Sequence, residues 1–314
     1  MSTVIDVGGI KVSALNDGEV HLPPMFYPGL DFGAHPELLQ ADGTYHIPVG
    51  CFLIQAEGLT VLVDAGLGPS SILFPGDIAA TAGLTDPPES IAVGGLLPGA
   101  LAAAGVAPAD ITTVFLTQLH ADHIGWVAPG GVLFFPNALV MCGAVEWETP
   151  PVVPAPGELE GRTGLAVAGA AGMLCPIDAA TVELAPGVSA HHSPGHTPGH
   201  YVVRVSSNDE TAYLLGDVVH HPLQLNDQGI SFLSEAEPER ALRAREELFT
   251  ALQGRNVSIG MAHFPGLDFQ QITTANGRAW STAGYGSHRR ARSESGGSVR
   301  QLAGEVGTER DVEG

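Results

Sequence analysis

The chain has 314 residues, of which 44% are hydrophobic and 15% charged, with a formal net charge of −21. That composition excludes a disordered chain and leaves room for one large α/β domain or two smaller ones. The acidic balance, 34 Asp and Glu against 13 Lys and Arg, repels phosphate backbones and argues against general nucleic-acid binding.

The start, MSTVIDVGG, has no basic n-region and no apolar h-region, so no secretory signal is expected. No apolar run approaches the roughly 18 residues that cross a bilayer, so no membrane partner is expected. Cys51, Cys142 and Cys175 are far apart and match neither a zinc ribbon nor a disulfide framework. Free buried thiols in a reducing compartment fit them, which places the protein in the cytoplasm.

In chain order, 12–15 is a first strand-like piece. The stretch 22–50 is rich in Pro, Gly and aromatics and is expected to form a long surface excursion, with a flap over a pocket as one role. Residues 51–55 and 60–63 form a strand pair around Glu57-Gly58. Residues 96–105 are helical, with Gly105 as the stop. The apolar run 111–116 is a buried strand. Two more strands, 132–135 and 138–141, alternate around the turn signal Pro136-Asn137. Residues 150–172 are Pro/Gly/Ala-rich and expected to be irregular apart from one short helix. Strands follow near 182–184, 201–205 and 212–215. Pro238–Leu252 is the clearest helix, with Pro238 suited to its first turn. Residues 257–261 make the last strand. From 287 to 314 the sequence turns polar and Gly/Ser-bearing, the composition of a flexible tail, so residues 1–286 are expected to hold a single catalytic domain. Strands and helices in mixed order imply an α/β sandwich with its site along one edge of the sheets.

The chemistry concentrates at strand ends. TQLHADHIGW (117–126) packs His120, Asp122 and His123 into four positions directly after a buried strand. VLVDAGLG puts Asp64 after a strand, SPGHTPGH puts His196 in a Gly/Pro turn, YLLGDVVHH puts Asp217 after a strand, and IGMAHFPG does the same for His263. Each alone has a bland reading: Asp64 as a turn residue, His191 and His192 as strand residues, His200 as a brace of the turn. Together and in this order they are specific.

The set resembles the metallo-β-lactamase superfamily, whose hallmark is His-x-His-x-Asp-His followed by a distal His, a bridging Asp and a final His. The resemblance runs from about residue 49 to 269. TPGH, GDVVH and AHFPG are most similar to the branch of methyl parathion hydrolase and the acyl-homoserine-lactone lactonases. It implies an αββα sandwich holding two divalent metal ions, zinc (Zn2+) first, with Mn, Fe or Co also fitting the ligand types. By resemblance Gln118, His120 and His196 hold the first metal, Asp122, His123 and His263 hold the second, Asp217 bridges both, and Asp64 orients the site from behind. By the same resemblance Asp122 is also expected to take a proton from the attacking water, which the two metals would make acidic. His220, three residues after Asp217, stands where the lactone-cleaving branch often carries a tyrosine, so it is a candidate donor or general acid, with packing as the alternative. Phe26, Tyr27, Trp126, Trp147 and Phe232 are candidates for the pocket wall, against core packing for each.

Gln118 departs from the pattern, which puts His there. Its amide oxygen is a neutral and poorer ligand, so the first site is expected to be weakly occupied. Three outcomes stay open: a full pair with Gln118 as oxygen ligand, one tight metal in the second site, or an impaired site that binds without catalysis. The resemblance implies hydrolysis of a small ester-like substrate, a lactone, aryl ester or phosphotriester, by a chain that can form a homodimer. A carrier-thioester hydrolase and a non-catalytic binding protein are the alternatives.

Overall fold

The computed structural model describes residues 3–150 and 156–271, all within the unit Met1–Thr282. The expected tail, 287–314, lies outside the described residues. The first sheet contains β1 (Val4–Val7), β2 (Ile10–Leu22), β3 (Tyr45–Ala56), β4 (Leu59–Val63), β5 (Ser71–Leu73), β6 (Ser90–Val93), β7 (Thr113–Phe115), β8 (Leu139–Gly143) and β9 (Leu174–Ile177). Its order is β5-β6-β2-β3-β4-β7-β8-β9, with β1 paired to β2. The second sheet runs in chain order through β10 (Thr181–Ala185), β11 (Val188–His192), β12 (Tyr201–Ser207), β13 (Glu210–Leu214), β14 (Ser258–Gly260) and β15 (Gln270–Gln271). The helices are α1 (Gly76–Ala82), α2 (Leu97–Ala103), α3 (Ala121–Ile124), α4 (Ala144–Glu148), α5 (Glu158–Ala170) and α6 (Pro238–Leu252).

The period-two alternation of the strands sorts their side chains into three apolar layers. Phe52 and Ile54 of β3, Val61 and Val63 of β4 and Phe115 of β7 meet Tyr201, Val203, Val205, Ala212 and Leu214 between the sheets. The intervening Cys51, Leu53, Leu62 and Val114 face Leu97 and Leu101 of α2 and Leu165 of α5. On the far side, Val202 and Ile259 pack against Phe249 and Leu252 of α6. Helix, sheet, sheet, helix is the expected αββα sandwich. Each fully buried Leu, Ile or Phe stabilises it by roughly 1.5–3 kcal/mol relative to exposure.

Several elements differ from the sequence reading. β2 and β3 are 13 and 12 residues long, so the excursion shrinks to 23–44. It is folded rather than loose: Tyr27, Phe32 and Leu38 are buried against Tyr45, Ile47 and Phe232. Residues 132–135 form no strand, because Gly130 and Gly131 take positive φ and turn the chain, leaving Val132 exposed. The region expected to be irregular holds α5, a 13-residue helix whose glycines Gly161 and Gly164 allow close approach to Ile124 and Ala128. β9 was not anticipated, and β15 follows the strand expected to be last. No helix among the described residues is long and apolar enough to cross a membrane.

What positions the site is strand direction. β4, β7, β8 and β9 run parallel, as do β13 and β14. The carboxyl ends of β4 and β7 in one sheet and of β13 and β14 in the other lead into Asp64, 118–123, Asp217 and His263. Ligand sites in α/β sheets favour such ends, where side chains leave the ladder together.

Candidate metal centre

Each candidate side chain is fixed by the turn that carries it. Asp64 takes φ 62°, an uncommon conformation for a non-glycine residue. Its carboxylate accepts from Thr117 N at 2.7 Å and from Thr117 Oγ1, and lies 2.9 Å from His123 Nδ1. Gly216 has φ 52°, and a Cβ there would lie 2.7 Å from His200 Nε2. Only glycine fits, and it lets Asp217 N donate to His200 Nε2 at 3.0 Å. His200 therefore braces the turn of Asp217, not only its own turn at 196–200 as the sequence suggested.

The structure brings all seven expected ligand residues together. His123 Nε2 lies 3.2 Å from Asp217 Oδ2 and 3.8 Å from Asp122 Oδ1. His263 Nε2 lies 3.2 Å from Asp217 Oδ1 and 3.5 Å from Asp122 Oδ2. His196 Nε2 lies 3.1 Å from both Asp217 Oδ2 and His120 Nδ1. Three overlapping groups here have the spacing to hold an ion: His120/His196/Asp217, Asp122/His123/His263 and Asp217/His220/His263.

The donor chemistry of the second group fits a cation. His263 Nδ1 donates to Pro48 O at 2.8 Å, and His123 Nδ1 faces Asp64, so each outer N–H is held and each inner Nε2 turns inward. That is how metal-binding imidazoles are oriented. His123 Nε2 and Asp217 Oδ1 are buried without a hydrogen-bond partner.

Gln118 sits among these residues with its amide turned in a specific sense. Its Oε1 accepts from His120 N, so Nε2 must be the atom that faces Asp217 Oδ2, at 3.0 Å. The reverse placement would set the amide nitrogen against an N–H and its oxygen against a carboxylate. The oxygen that the resemblance makes a ligand thus has one of its two lone pairs taken by the backbone, and His120, His196 and Asp217 group beside it.

Charge follows this geometry. Burial pushes the His120 and His196 imidazoles down to about 4, aided at His120 by the facing His196, so both are neutral with lone pairs available. Burial acts the same way on His123 and His263, but the carboxylates win. Asp217, Asp64 and Asp122 hold His123 well above its ordinary value, and Asp217 and Asp122 raise His263. Burial pushes the Asp217 carboxyl up, yet His123, His263, His220 and His196 hold it well below the carboxylate range.

Residues 46–253 match the family described as the metallo-beta-lactamase superfamily. The chain belongs to this superfamily. Among curated proteins, an N-acyl homoserine lactonase of Bacillus thuringiensis is 23% identical over 238 residues, 74% of this chain and 88% of that protein. The N-acyl homoserine lactonase AiiB of Agrobacterium fabrum is 40% identical over 81 residues, 26% and 29% of the two chains. A Bacillus sp. N-acyl homoserine lactonase, 26% identical, is matched over 62% of its own length and 54% of this chain. Among solved structures, the hydrolase AbOPH has a TM-score of 0.72 at 20% identity, covering 89% of this chain and 96% of that one. AidC, a dizinc quorum-quenching lactonase with a product, N-hexanoyl-L-homoserine, has a TM-score of 0.71 at 21% identity over the same shares. At these identities the solved structures establish the metallo-β-lactamase fold.

Within this superfamily fold the centre floors a cavity of about 170 Å³. His120, Asp122, Asp217, His220 and His263 line it together with the apolar Val20, Leu22, Ile47, Leu67, Ile72 and Phe26. No Lys or Arg among the described residues lines it. His220 stacks on Phe232 at 3.8 Å and its Nε2 lies 3.4 Å from Asp217 Oδ2. Burial lowers the His220 imidazole to about 4. Of the other aromatic candidates, Phe26 and Phe232 reach the cavity. Trp126, Trp147 and Tyr27 pack in apolar clusters.

Sequence reading missed three supports of this superfamily site. Asp17 is fully buried, and its carboxylate accepts from Leu67 N, Gly68 N, Leu97 N, Gly95 N and Trp126 Nε1. Between Asn16 and Gly18 it looks like an ordinary turn residue. Glu146 accepts from Gly199 N at 2.8 Å and so holds the turn carrying His196. Arg245 pairs with Glu235 at 2.6 Å and donates to Val218 O and Ile230 O, tying α6 to the segments of His220 and Phe232. Arg245 falls on the buried face of α6, the one signal that could have singled it out.

Proposed function

We propose that the chain is a metal-dependent hydrolase that opens small uncharged lactones bearing an apolar chain, with two divalent ions, zinc first, in the ligand groups above. One observation supports this most: ligand groups of metallohydrolase type floor a cavity whose other walls are apolar and carry no cation. A β-lactam or a phosphodiester presents an anion that such walls do not neutralise. A lactone with an acyl or alkyl arm places its ester at the polar end and its arm against Val20, Ile47 and Ile72. The relatives named above act on acyl homoserine lactones, which have that form. The partner is then a small molecule, not nucleic acid or a membrane.

When bound, the two ions supply a water acidic enough to attack at neutral pH and polarise the ester carbonyl. Asp122 takes the proton from the attacking water. His220, neutral and held by the Phe232 stack, donates its N–H toward the carbonyl oxygen as the negative charge develops there. The ring C–O bond then breaks, and the leaving oxygen takes the proton that Asp122 removed from the water, giving the hydroxy acid and returning Asp122 to its carboxylate form. Asp217 and Asp64 keep the surrounding imidazoles oriented, and the apolar wall excludes bulk water from the arm.

A purely binding protein with an impaired first site is the alternative, and the grouping of Asp122, His123 and His263 beside Asp217 favours catalysis over it. The test pairs elemental analysis of purified protein with a panel of acyl lactones of rising chain length, an aryl ester, a phosphotriester, a β-lactam and a carrier-bound thioester. Lactone kcat/KM that rises with chain length and exceeds every other class is expected. Preference for the carrier thioester, or no turnover by zinc-loaded protein, would overturn the reading.

A further inference from the structure

A second cluster of metal-binding side chains lies on the reverse side of the pocket wall. His21 of β2 stands opposite His46 of β3, and Glu19 precedes His21 by two residues, so all three share one face of the strand pair. Val20, Leu22 and Ile47, at the intervening positions, face the cavity. Glu19, His21 and His46 bring their ligand atoms within 4.8 Å of one another, and the two rings stack at 4.0 Å.

The hydrogen bonds around the cluster decide where its protons sit. His21 Nδ1 lies 2.8 Å from Ser90 O, a carbonyl that can only accept, so Nδ1 carries the N–H. His21 Nε2 is left with a lone pair, yet its neighbour at 3.0 Å is Glu19 Oε1, another acceptor. His46 Nε2 lies 3.3 Å from Asp42 Oδ2 and 3.1 Å from Thr44 Oγ1. The Thr44 hydroxyl already donates to Asp42 Oδ1, so His46 Nε2 carries the N–H there. The His46 Nδ1 lone pair then faces Glu19 Oε2 at 3.9 Å. With both rings neutral, three electron-rich groups converge with no donor among them, while each outer N–H is fixed by an oxygen behind it. That is the arrangement of imidazoles set to bind a cation.

We propose that Glu19, His21 and His46 form a divalent transition-metal site separate from the catalytic centre, suited to Zn2+, Ni2+ or Cu2+ by its two imidazoles and one carboxylate. Solvent completes the coordination, since Glu19 is 53% exposed. An ion here would clamp the ends of β2 and β3. Two residues on, Pro48 O accepts from the candidate ligand His263.

The test dialyses the full-length protein, already zinc-loaded at the catalytic centre, against micromolar Zn2+ and measures bound metal by elemental analysis. Wild type is expected to hold one more zinc per chain than His46→Gln or Glu19→Gln, with affinity for that ion at least about tenfold weaker in either variant. Both positions are partly exposed, so the variants should fold, and hydrolysis by the zinc-loaded enzyme should persist. Equal zinc content and equal affinity in wild type and both variants would overturn the site.

Discussion

Gln118 Nε2 donates to Asp217 Oδ2 at 3.0 Å, so the residue standing where the superfamily motif has an imidazole grips the carboxylate shared by the ligand groups. The first group is left with His120, His196 and Asp217, while the second keeps Asp122, His123 and His263 beside Asp217. The two positions should therefore load unequally. Replacing Gln118 by His returns an imidazole to the first group and removes an amide donor from Asp217. Gln118→His is expected to tighten the weaker ion by about tenfold or more. Metal-to-protein ratios measured across a range of free zinc would show it, and an unchanged curve would count against any link between Gln118 and the first ion.

The second group tests the reaction itself. Asp122 and His123 both face the cluster from the turn after β7, and Asp122 also carries the proposed proton transfer. Asp122→Ala and His123→Ala are each expected to lower lactone or aryl-ester kcat/KM by at least about 10²-fold. His123→Ala should also lose bound metal. Most activity retained in both variants would be incompatible with the mechanism.

The sequence disclosed the centre better than the walls around it, and the reason is physical. A metal ligand must be His, Asp or a similar donor, so HADH, TPGH, GDVVH and AHF, each bland alone, stand out as an ordered set at strand ends and turns. Their shared location follows once parallel strands put those ends side by side. The cavity wall comes instead from Val20, Leu22 and Ile47, residues indistinguishable from core until the register of β2 and β3 is known. The 22–50 stretch read as a surface excursion because prolines and glycines break its periodicity, yet Tyr27 and Phe32 are buried in its 23–44 part. Asp17 was invisible because its role lies in five donors brought from distant parts of the chain.

The opposed charge states of the centre set a pH dependence. In metal-free protein, His123 is held well above the ordinary imidazole value of 6.5, and His263 is raised too. Their protonated forms contribute stability that is fully present below about 6.5 and is lost as pH rises through the raised values. A metal ion needs the same nitrogens unprotonated. Zinc must compete with protons at neutral pH, so its apparent affinity for the second group should rise with pH above 6.5. Thermal stabilisation by fixed free zinc, followed from pH 6 to 9, should increase, and a flat or falling profile would contradict the assignment.

Asp17 supports the loop that forms one side of the cavity. Asp17→Ala strips a buried acceptor from four backbone N–H groups and from the Trp126 indole. Orphaned buried donors and a lost charged acceptor together should destabilise the fold by about 3–5 kcal/mol. Chemical denaturation would read this as a lower midpoint with little change in slope. A shift under about 1 kcal/mol would mean that water replaces the carboxylate without cost.

His220 separates a role in chemistry from a role in packing. Its ring stacks on Phe232 with an interplanar angle of 16°, an environment a phenyl ring can keep. His220→Phe therefore preserves the stack and removes the N–H proposed to serve the substrate oxygen. A lost donor of this kind costs about 10²–10³-fold in turnover, so kcat should fall by that order while KM changes little. His220→Tyr restores a donor at the same position and should recover much of the loss. Metal content decides between this and ligation, because His220 also lies within ligand spacing of Asp217 and His263. If His220→Phe loses an ion along with activity, the imidazole binds metal. If metal is retained and kcat falls, it serves the carbonyl oxygen. If neither changes, the stack with Phe232 is its whole function.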